Sequence, residues 1–166
     1  MRVVYVSTYP PPGELHAQVG GVASYTKNLI GHITFERDDD IFILCDKIGG
    51  RYEKYRDGKI NIIRCFDKKP RFIWQLLTEI HRLKPDLIHF QQELALYGGV
   101  VTAFLLQWLL LLVRRSRVII TIHGVVSLQR VDRRFIKENY ANLPIWLTKV
   151  AFYVIYRPLC LWPDKV

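Results

Sequence analysis

Short apolar runs alternate with longer segments of helical periodicity along most of the chain. Runs rich in Val and Ile predict strands at 3–7, 41–45, 60–65, 87–90 and 118–122. Apolar residues spaced by three and four predict helices at 22–35, 71–83, 98–113, 132–139 and 143–156. The strands lack polar alternation, which is typical of a parallel sheet covered on both faces. The pattern therefore predicts an α/β fold, with one parallel sheet and helices on both faces, in a single domain.

Polar segments interrupt this pattern at two places, and the chain ends on a further apparent strand. Residues 8–19 are rich in Pro and Gly, and residues 49–58 are polar and charged, so both are predicted to be loops. Pro163–Val166 are similar to the start of another strand. We therefore expect this chain to be a fragment of a longer protein.

The net charge and the cysteine content of the chain limit which partners and which cellular location are expected. The formal net charge is +9, which suits nucleic acid, anionic lipid or phosphorylated small molecules, and also suits simple solubility. The arginines are accompanied by neither a recognition helix nor an aromatic RNA-binding pattern, so no nucleic-acid partner is expected. Cys45, Cys65 and Cys160 are widely spaced and include no CxxC pair. Buried free thiols and a start without a signal peptide favour a cytoplasmic location.

The segment Leu94–Val113 contains no charged residue, and arginines follow it directly. A membrane-spanning helix must therefore be considered. The segment contains Gly98, Gly99 and Gln107, and we interpret it as a buried helix. A peripheral membrane contact stays open as a second possibility. The apolar faces around 104–113 and 146–162 lie among arginines and could hold the protein on anionic lipid. The favoured alternative is that they belong to the core and to the surface that covers the missing half of the protein.

Gly20-Gly21 follows the first strand and its loop, and opens the first helix. The first backbone N–H groups of a helix have no intrahelical partner, and the helix dipole adds positive potential, so this position attracts phosphate. A plain turn before a helix is the alternative. A GxGxxG fingerprint and a GxxxxGK[ST] loop are both absent from the sequence, which excludes the usual dinucleotide motif and a P-loop hydrolase.

Polar residues also follow two later strands. His123 directly follows 118–122, and a histidine at that end of a parallel strand can orient a substrate group. His89, Gln91, Gln92 and Glu93 end the fourth strand and begin its loop, where they could bind hydroxyl groups. For Gln92 and Glu93, a solvated loop is the favoured alternative. The histidines form neither an i, i+4 pair nor an HxH pair, so no metal site is predicted.

Several short motifs, taken in order, resemble the N-terminal domain of family 4 glycosyltransferases, which have the GT-B fold. The motifs are Val3–Ser7 with Tyr9-Pro10-Pro11, Gly20–Ala23, Lys84–Phe90 (similar to the family's P-D-x-x-H strand), Val118–Gly124 (similar to its T-x-H-G/D strand) and Pro163–Val166 (similar to the start of its A-D-x-V strand). The resemblance covers nearly the whole chain.

This resemblance implies a Rossmann-like domain spanning 1–166, which is half of a GT-B enzyme whose C-terminal donor-binding domain lies outside this chain. Such enzymes are retaining, and they move a sugar from a nucleotide-sugar to a glycan or lipid-linked acceptor. They need no essential metal or other cofactor, and the nucleotide-sugar is the co-substrate. The N-terminal half mainly binds the acceptor. Without the donor-binding domain, we expect this polypeptide not to transfer sugar.

The resemblance also assigns roles. It places Gly20 and Gly21 at the loop that faces the donor phosphate, and His123 at the catalytic histidine. The candidates for acceptor binding are His16, in the loop with Glu14 and Gln18, together with His89, Gln91 and Glu93.

Two other functions stay open at this point. One is a Rossmann-like binding module without catalysis. The other is an NAD-dependent oxidoreductase in which Asp46, at the end of the second strand, binds a ribose. The missing third glycine argues against the oxidoreductase.

Overall fold

The computed structural model describes residues 1–13, 20–36, 38–93, 96–139 and 143–166. Its strands are β1 (Arg2–Val6), β2 (Asp40–Asp46), β3 (Glu53–Asp57), β4 (Ile60–Phe66), β5 (Leu87–Gln92) and β6 (Arg117–Ile122). Its helices are α1 (Gly21–His32), α2 (Phe72–Leu83), α3 (Val100–Leu112), α4 (Arg133–Asn139) and α5 (Ile145–Leu161), and a 3₁₀ turn covers Leu128–Arg130. Every predicted strand and helix is present, with ends that differ by a few residues.

The strands form one sheet in the order β3-β4-β2-β1-β5-β6. All neighbours are parallel except β3, which is antiparallel to β4. The chain moves to one side of β1 to form β2 and to the other side to form β5, so the strand order reverses between β1 and β5. The predicted fold class is confirmed: this is an α/β, Rossmann-like domain with a mostly parallel sheet.

The prediction of a loop at 49–58 is wrong, because β3 lies within it. Its residues, Glu53–Asp57, are almost all exposed and show no apolar alternation. β3 forms because its backbone pairs with β4 across the two-residue turn Gly58-Lys59, where Gly58 has a φ of 58°. The Asp57-Gly58 dipeptide is the local signal that indicates this hairpin.

Each face of the sheet has its own core, and both faces carry helices as predicted. On one face, Ile30 of α1 packs with Tyr5 and Ile43. On the other face, α2, α3 and α5 share a single buried cluster with alternate strand residues such as Val6 and Phe90. Because side chains alternate along a strand, the polar residues of β5 and β6 are also divided between the two faces.

The prediction that 98–113 is a buried helix is correct for one side of α3 and wrong for the other side. Leu106 and Leu109 of α3 are fully buried, but Phe104 and Trp108 on its other side are exposed. No helix among the described residues has the length and hydropathy that a membrane crossing requires.

The residues after α5 lie beside β6. The Asp164 backbone N–H donates to the Val118 carbonyl, and the Ile120 N–H donates to the Lys165 carbonyl, with N–O distances of 2.7 and 2.9 Å. Lys165 therefore forms a parallel bridge at this edge strand. The strand predicted to start at Pro163–Val166 is present within this chain as that isolated bridge.

Candidate functional site

The carboxyl ends of β1, β5 and β6 lie side by side at one edge of the sheet, because these strands are parallel and adjacent. The chain leaves this edge at Ser7 after β1, at Glu93 after β5 and at His123 after β6. Since the strand order reverses between β1 and β5, this edge is where open α/β sheets bind their ligands. It is therefore the candidate site.

The first turns of α1 are held against the end of β1. The buried Ser7 hydroxyl lies 2.6 Å from Oγ1 of Thr26, and Thr26 donates its own proton to the Val22 carbonyl at 2.8 Å. Ser7 is therefore the donor to Thr26. Gly20 precedes the helix with a φ of 82°, a left-handed conformation that favours glycine. A Cβ added to Gly21 would meet no described atom within 4 Å.

The start of α1 is not capped by any side chain in the described part of the chain. Its first turn contains no acidic residue. Its first N–H groups and the positive end of its dipole can therefore attract an anion such as a phosphate.

Polar side chains of β5 and β6 form a hydrogen-bonded row at the same edge. Nε2 of His123 lies 2.7 Å from Oε1 of Gln91, and Nε2 of Gln91 lies 3.3 Å from Nε2 of His89. The Thr121 hydroxyl lies 2.8 Å from the same His89 nitrogen. Gln91 is fully buried, so its amide bonds to these two rings and not to solvent.

The Gln91 amide determines which ring nitrogens carry protons. Its oxygen accepts the Nε2 proton of His123, which leaves Nδ1 as the acceptor of that ring. Its NH₂ group donates to His89, so Nε2 of His89 carries no proton. Burial lowers the pKa of His89, and His123 lowers it further. Burial also lowers the pKa of His123, against the opposite effect of Glu93, so the surroundings of both rings favour the neutral form.

Tyr25 connects α1 with His123. The two rings make an edge-to-face contact with centroids 4.9 Å apart and an interplanar angle of 77°. Tyr25 lies about one helical turn after Gly21. The glycine pair and His123 therefore share one wall of the site.

The family model for Glycosyltransferase Family 4 matches residues 19–163. The chain belongs to Glycosyltransferase Family 4. The matched region contains the glycine pair, β5, β6 and His123.

Among solved structures, this family 4 domain is similar to sucrose-phosphate synthase from Thermosynechococcus elongatus, at 14% identity and a TM-score of 0.48. The match covers 81% of this chain and 36% of the synthase chain, so this domain spans little more than a third of that length. No curated protein matches it.

In this family 4 domain, a buried arginine holds the loop that follows β1. Arg64 on β4 is 1% exposed. One terminal nitrogen, Nη2, shares its two protons among the carbonyls of Tyr9 and Pro10 and the Tyr55 hydroxyl, each at 3.0 Å. The other, Nη1, donates to the Asp46 carbonyl at 3.2 Å. Sequence reasoning missed Arg64, and its position within an apolar strand is the one signal that could have found it.

The structure agrees with the sequence predictions for some of the remaining candidate site residues and not for others. Gln92 belongs to β5 and is 1% exposed, so the alternative of a solvated loop is wrong for this residue. Its amide has no hydrogen-bond partner among the described residues. Glu93 follows β5 and is half-buried. His16, with Glu14 and Gln18, lies outside the described residues.

Other candidate chemistry has ordinary structural partners. Asp46, the residue assigned to ribose binding in an oxidoreductase, forms an ion pair with Lys68 at 3.3 Å. Cys45 and Cys65 are buried free thiols, whereas Cys160 is exposed. Across the described part of the chain, no group of three or more His, Cys, Asp and Glu side chains could hold a metal ion.

Proposed function

We propose that this chain is the acceptor-binding half of a retaining glycosyltransferase, and that a C-terminal donor-binding domain completes the enzyme. The reaction moves a hexosyl group from a nucleotide-sugar to a glycan or lipid-linked acceptor. Family membership supports glycosyl transfer as the class of reaction. One observation carries the assignment of the site: a helix N-terminus that no described side chain caps and a histidine with two ring nitrogens of different roles share the carboxyl edge of the sheet at its switch point.

The start of α1 binds the donor diphosphate in this proposal. During transfer, the bond between the anomeric carbon and the phosphate oxygen breaks, and negative charge grows on the departing diphosphate. The first N–H groups of α1 stabilise that charge, because they are fixed in place before the reaction begins. The space above Gly21 lets the phosphate approach the backbone closely.

His123 orients the donor sugar in this proposal. A neutral ring with Nδ1 as its acceptor receives a hydrogen bond from a sugar hydroxyl, and it adds no positive charge beside the anomeric carbon. Gln91 is a positioning residue, because both of its amide atoms are already bonded to histidines. His89 and Glu93 stay candidates for acceptor contact.

Substitution of His123 in the enzyme that contains this domain tests the proposal. His123→Ala should lower kcat/KM for transfer from a nucleotide-sugar by roughly 100-fold or more, because a fixed polar contact to the reacting sugar is lost. The matched control is His32→Ala, an exposed histidine in the last turn of α1 whose Nδ1 bonds to the Asn28 carbonyl. Unchanged turnover in His123→Ala would remove the role assigned to this ring.

The same assay tests the division into two halves and the stereochemistry. Residues 1–166 alone should give no turnover, since most of the donor-binding contacts are assigned to the second domain. NMR of the first-formed product should show the anomeric configuration of the donor. Turnover by the isolated chain, or an inverted product, would contradict the corresponding part of the proposal.

A further inference from the structure

A band of exposed apolar side chains crosses the helix layer on the sheet face opposite α1. α2, α3 and α5 lie in this layer, since they share one buried cluster. Trp74 on α2 is 71% exposed and Trp108 on α3 is 51% exposed. The rings of Trp108 and Trp162 have centroids 6.4 Å apart, which extends the band to the end of α5. We call this surface the aromatic band, defined as Trp74, Val101, Phe104, Trp108, Leu112 and Leu161.

An apolar groove runs through the aromatic band between α2 and α3. Its volume is about 480 Å³, and Trp74, Leu105, Trp108 and Leu112 are among its lining residues. Arg71 also lines it. Monomeric proteins rarely leave an apolar surface of this kind open to water, and when they do it usually marks a contact site.

A second, basic groove continues from the first. It has a volume of about 430 Å³ and shares Leu112 with the apolar groove. His81, Lys84 and Arg115 line it, and the exposed Arg114 immediately precedes Arg115 in the chain. Among the described residues, no acidic side chain lines either groove.

The combination of tryptophan and basic side chains selects one kind of occupant. Tryptophan favours the boundary between lipid headgroups and acyl chains, where its ring is in an apolar setting and its N–H is near water. Lysine and arginine beside such a surface are attracted to anionic headgroups. A second copy of this chain fits less well, because a two-fold contact through this surface would bring like charges together.

We propose that the aromatic band binds membrane surfaces that contain anionic lipid. The indole rings enter the interface, and the side chains of Lys84, Arg114 and Arg115 contact the headgroups. This contact is independent of the glycosyl chemistry proposed above, so each proposal can fail without the other.

Vesicle co-sedimentation tests the proposal. The probes are vesicles of phosphatidylcholine alone and of phosphatidylcholine mixed with phosphatidylglycerol. The protein should sediment with the mixed vesicles and much less with phosphatidylcholine, and added salt should weaken binding because it screens the charges. Absence of sedimentation with both kinds of vesicle would overturn the proposal.

Paired variants locate the contact. The double change Trp74→Ser and Trp108→Ser should weaken binding by more than about tenfold, since it removes the apolar part of the contact. Arg114→Gln with Arg115→Gln should weaken it by roughly 30-fold. The control, Lys27→Gln with Lys59→Gln, removes the same charge from α1 and the β3–β4 turn and should have a much smaller effect.

Two further results would contradict the proposal. One is full binding by both the tryptophan and the arginine variants, which would place the contact on another surface. The other is a dimer, measured by light scattering, that the tryptophan variant converts to a monomer, which would identify the occupant as a second copy of the chain.

Discussion

Gln91 lies fully buried between two histidines, and both of its amide atoms are bonded. An amide can donate to one ring and accept from the other, so it keeps His89 and His123 in defined tautomers without adding charge. A carboxylate at the same place would accept a hydrogen bond from an N–H group of each ring. The side chain of residue 91 therefore controls the protonation of the site.

We predict that Gln91→Glu raises the pKa of His89 and of His123, because a buried carboxylate stabilises both imidazolium ions. The measurement is an NMR titration of the histidine Cε1–H signals. Glu93→Gln is the matched control, and it should lower the pKa of His123, since Glu93 raises it in the native protein. Titration curves for Gln91→Glu that match those of the native protein would contradict the hydrogen-bonded row.

Sequence reasoning could find His123 and the glycine pair, because their positions at strand and helix ends follow from local patterns. It could place Gln91 near them but could not assign its partners. Those partners depend on the register that sets Gln91 opposite Thr121 in the pairing of β5 with β6. A single sequence does not contain that register.

At the scale of elements, the β3–β4 hairpin supports the loop that leaves β1. The Tyr9 hydroxyl donates to Asp57 at the end of β3, at 2.8 Å. Arg64 on β4 binds the carbonyls of Tyr9 and Pro10. The hairpin therefore stabilises the chain segment that leads toward the glycine pair. Its strand β3 has no apolar pattern of its own, so the hydrophobic periodicity that predicts the other strands does not predict it.

Arg64→Lys should lower the free energy of unfolding by roughly 2 kcal/mol, because an ammonium group cannot replace the planar fork that bonds several buried acceptors. Urea unfolding measures this change. The control is Arg56→Lys on exposed β3, where Nε donates to Asn61, and its effect should stay below about 0.5 kcal/mol. Equal small effects of the two changes would show that Arg64 does not hold the loop.

At the scale of the whole molecule, the two proposed contacts lie on different surfaces. The candidate site lies at the carboxyl edge, where parallel strands and α1 meet, and the aromatic band lies on the helix layer of α2, α3 and α5. The position of the candidate site follows from the order of strands and helices. The position of the aromatic band is harder to predict from the sequence. Nearly every residue of α3 is apolar, so its sequence does not distinguish the buried side of the helix from the exposed side.

The most direct test of the central claim is an NMR titration of ¹⁵N-labelled protein with nucleoside diphosphates (UDP, GDP and ADP). The account predicts shifts of the Gly20 and Gly21 amides and of the His123 ring, and weaker shifts in Gly21→Ala, whose Cβ occupies the space that the phosphate needs. Shifts confined to a separate groove between α4 and α5, which Arg133 and Lys149 line, with the carboxyl edge unchanged, would contradict it.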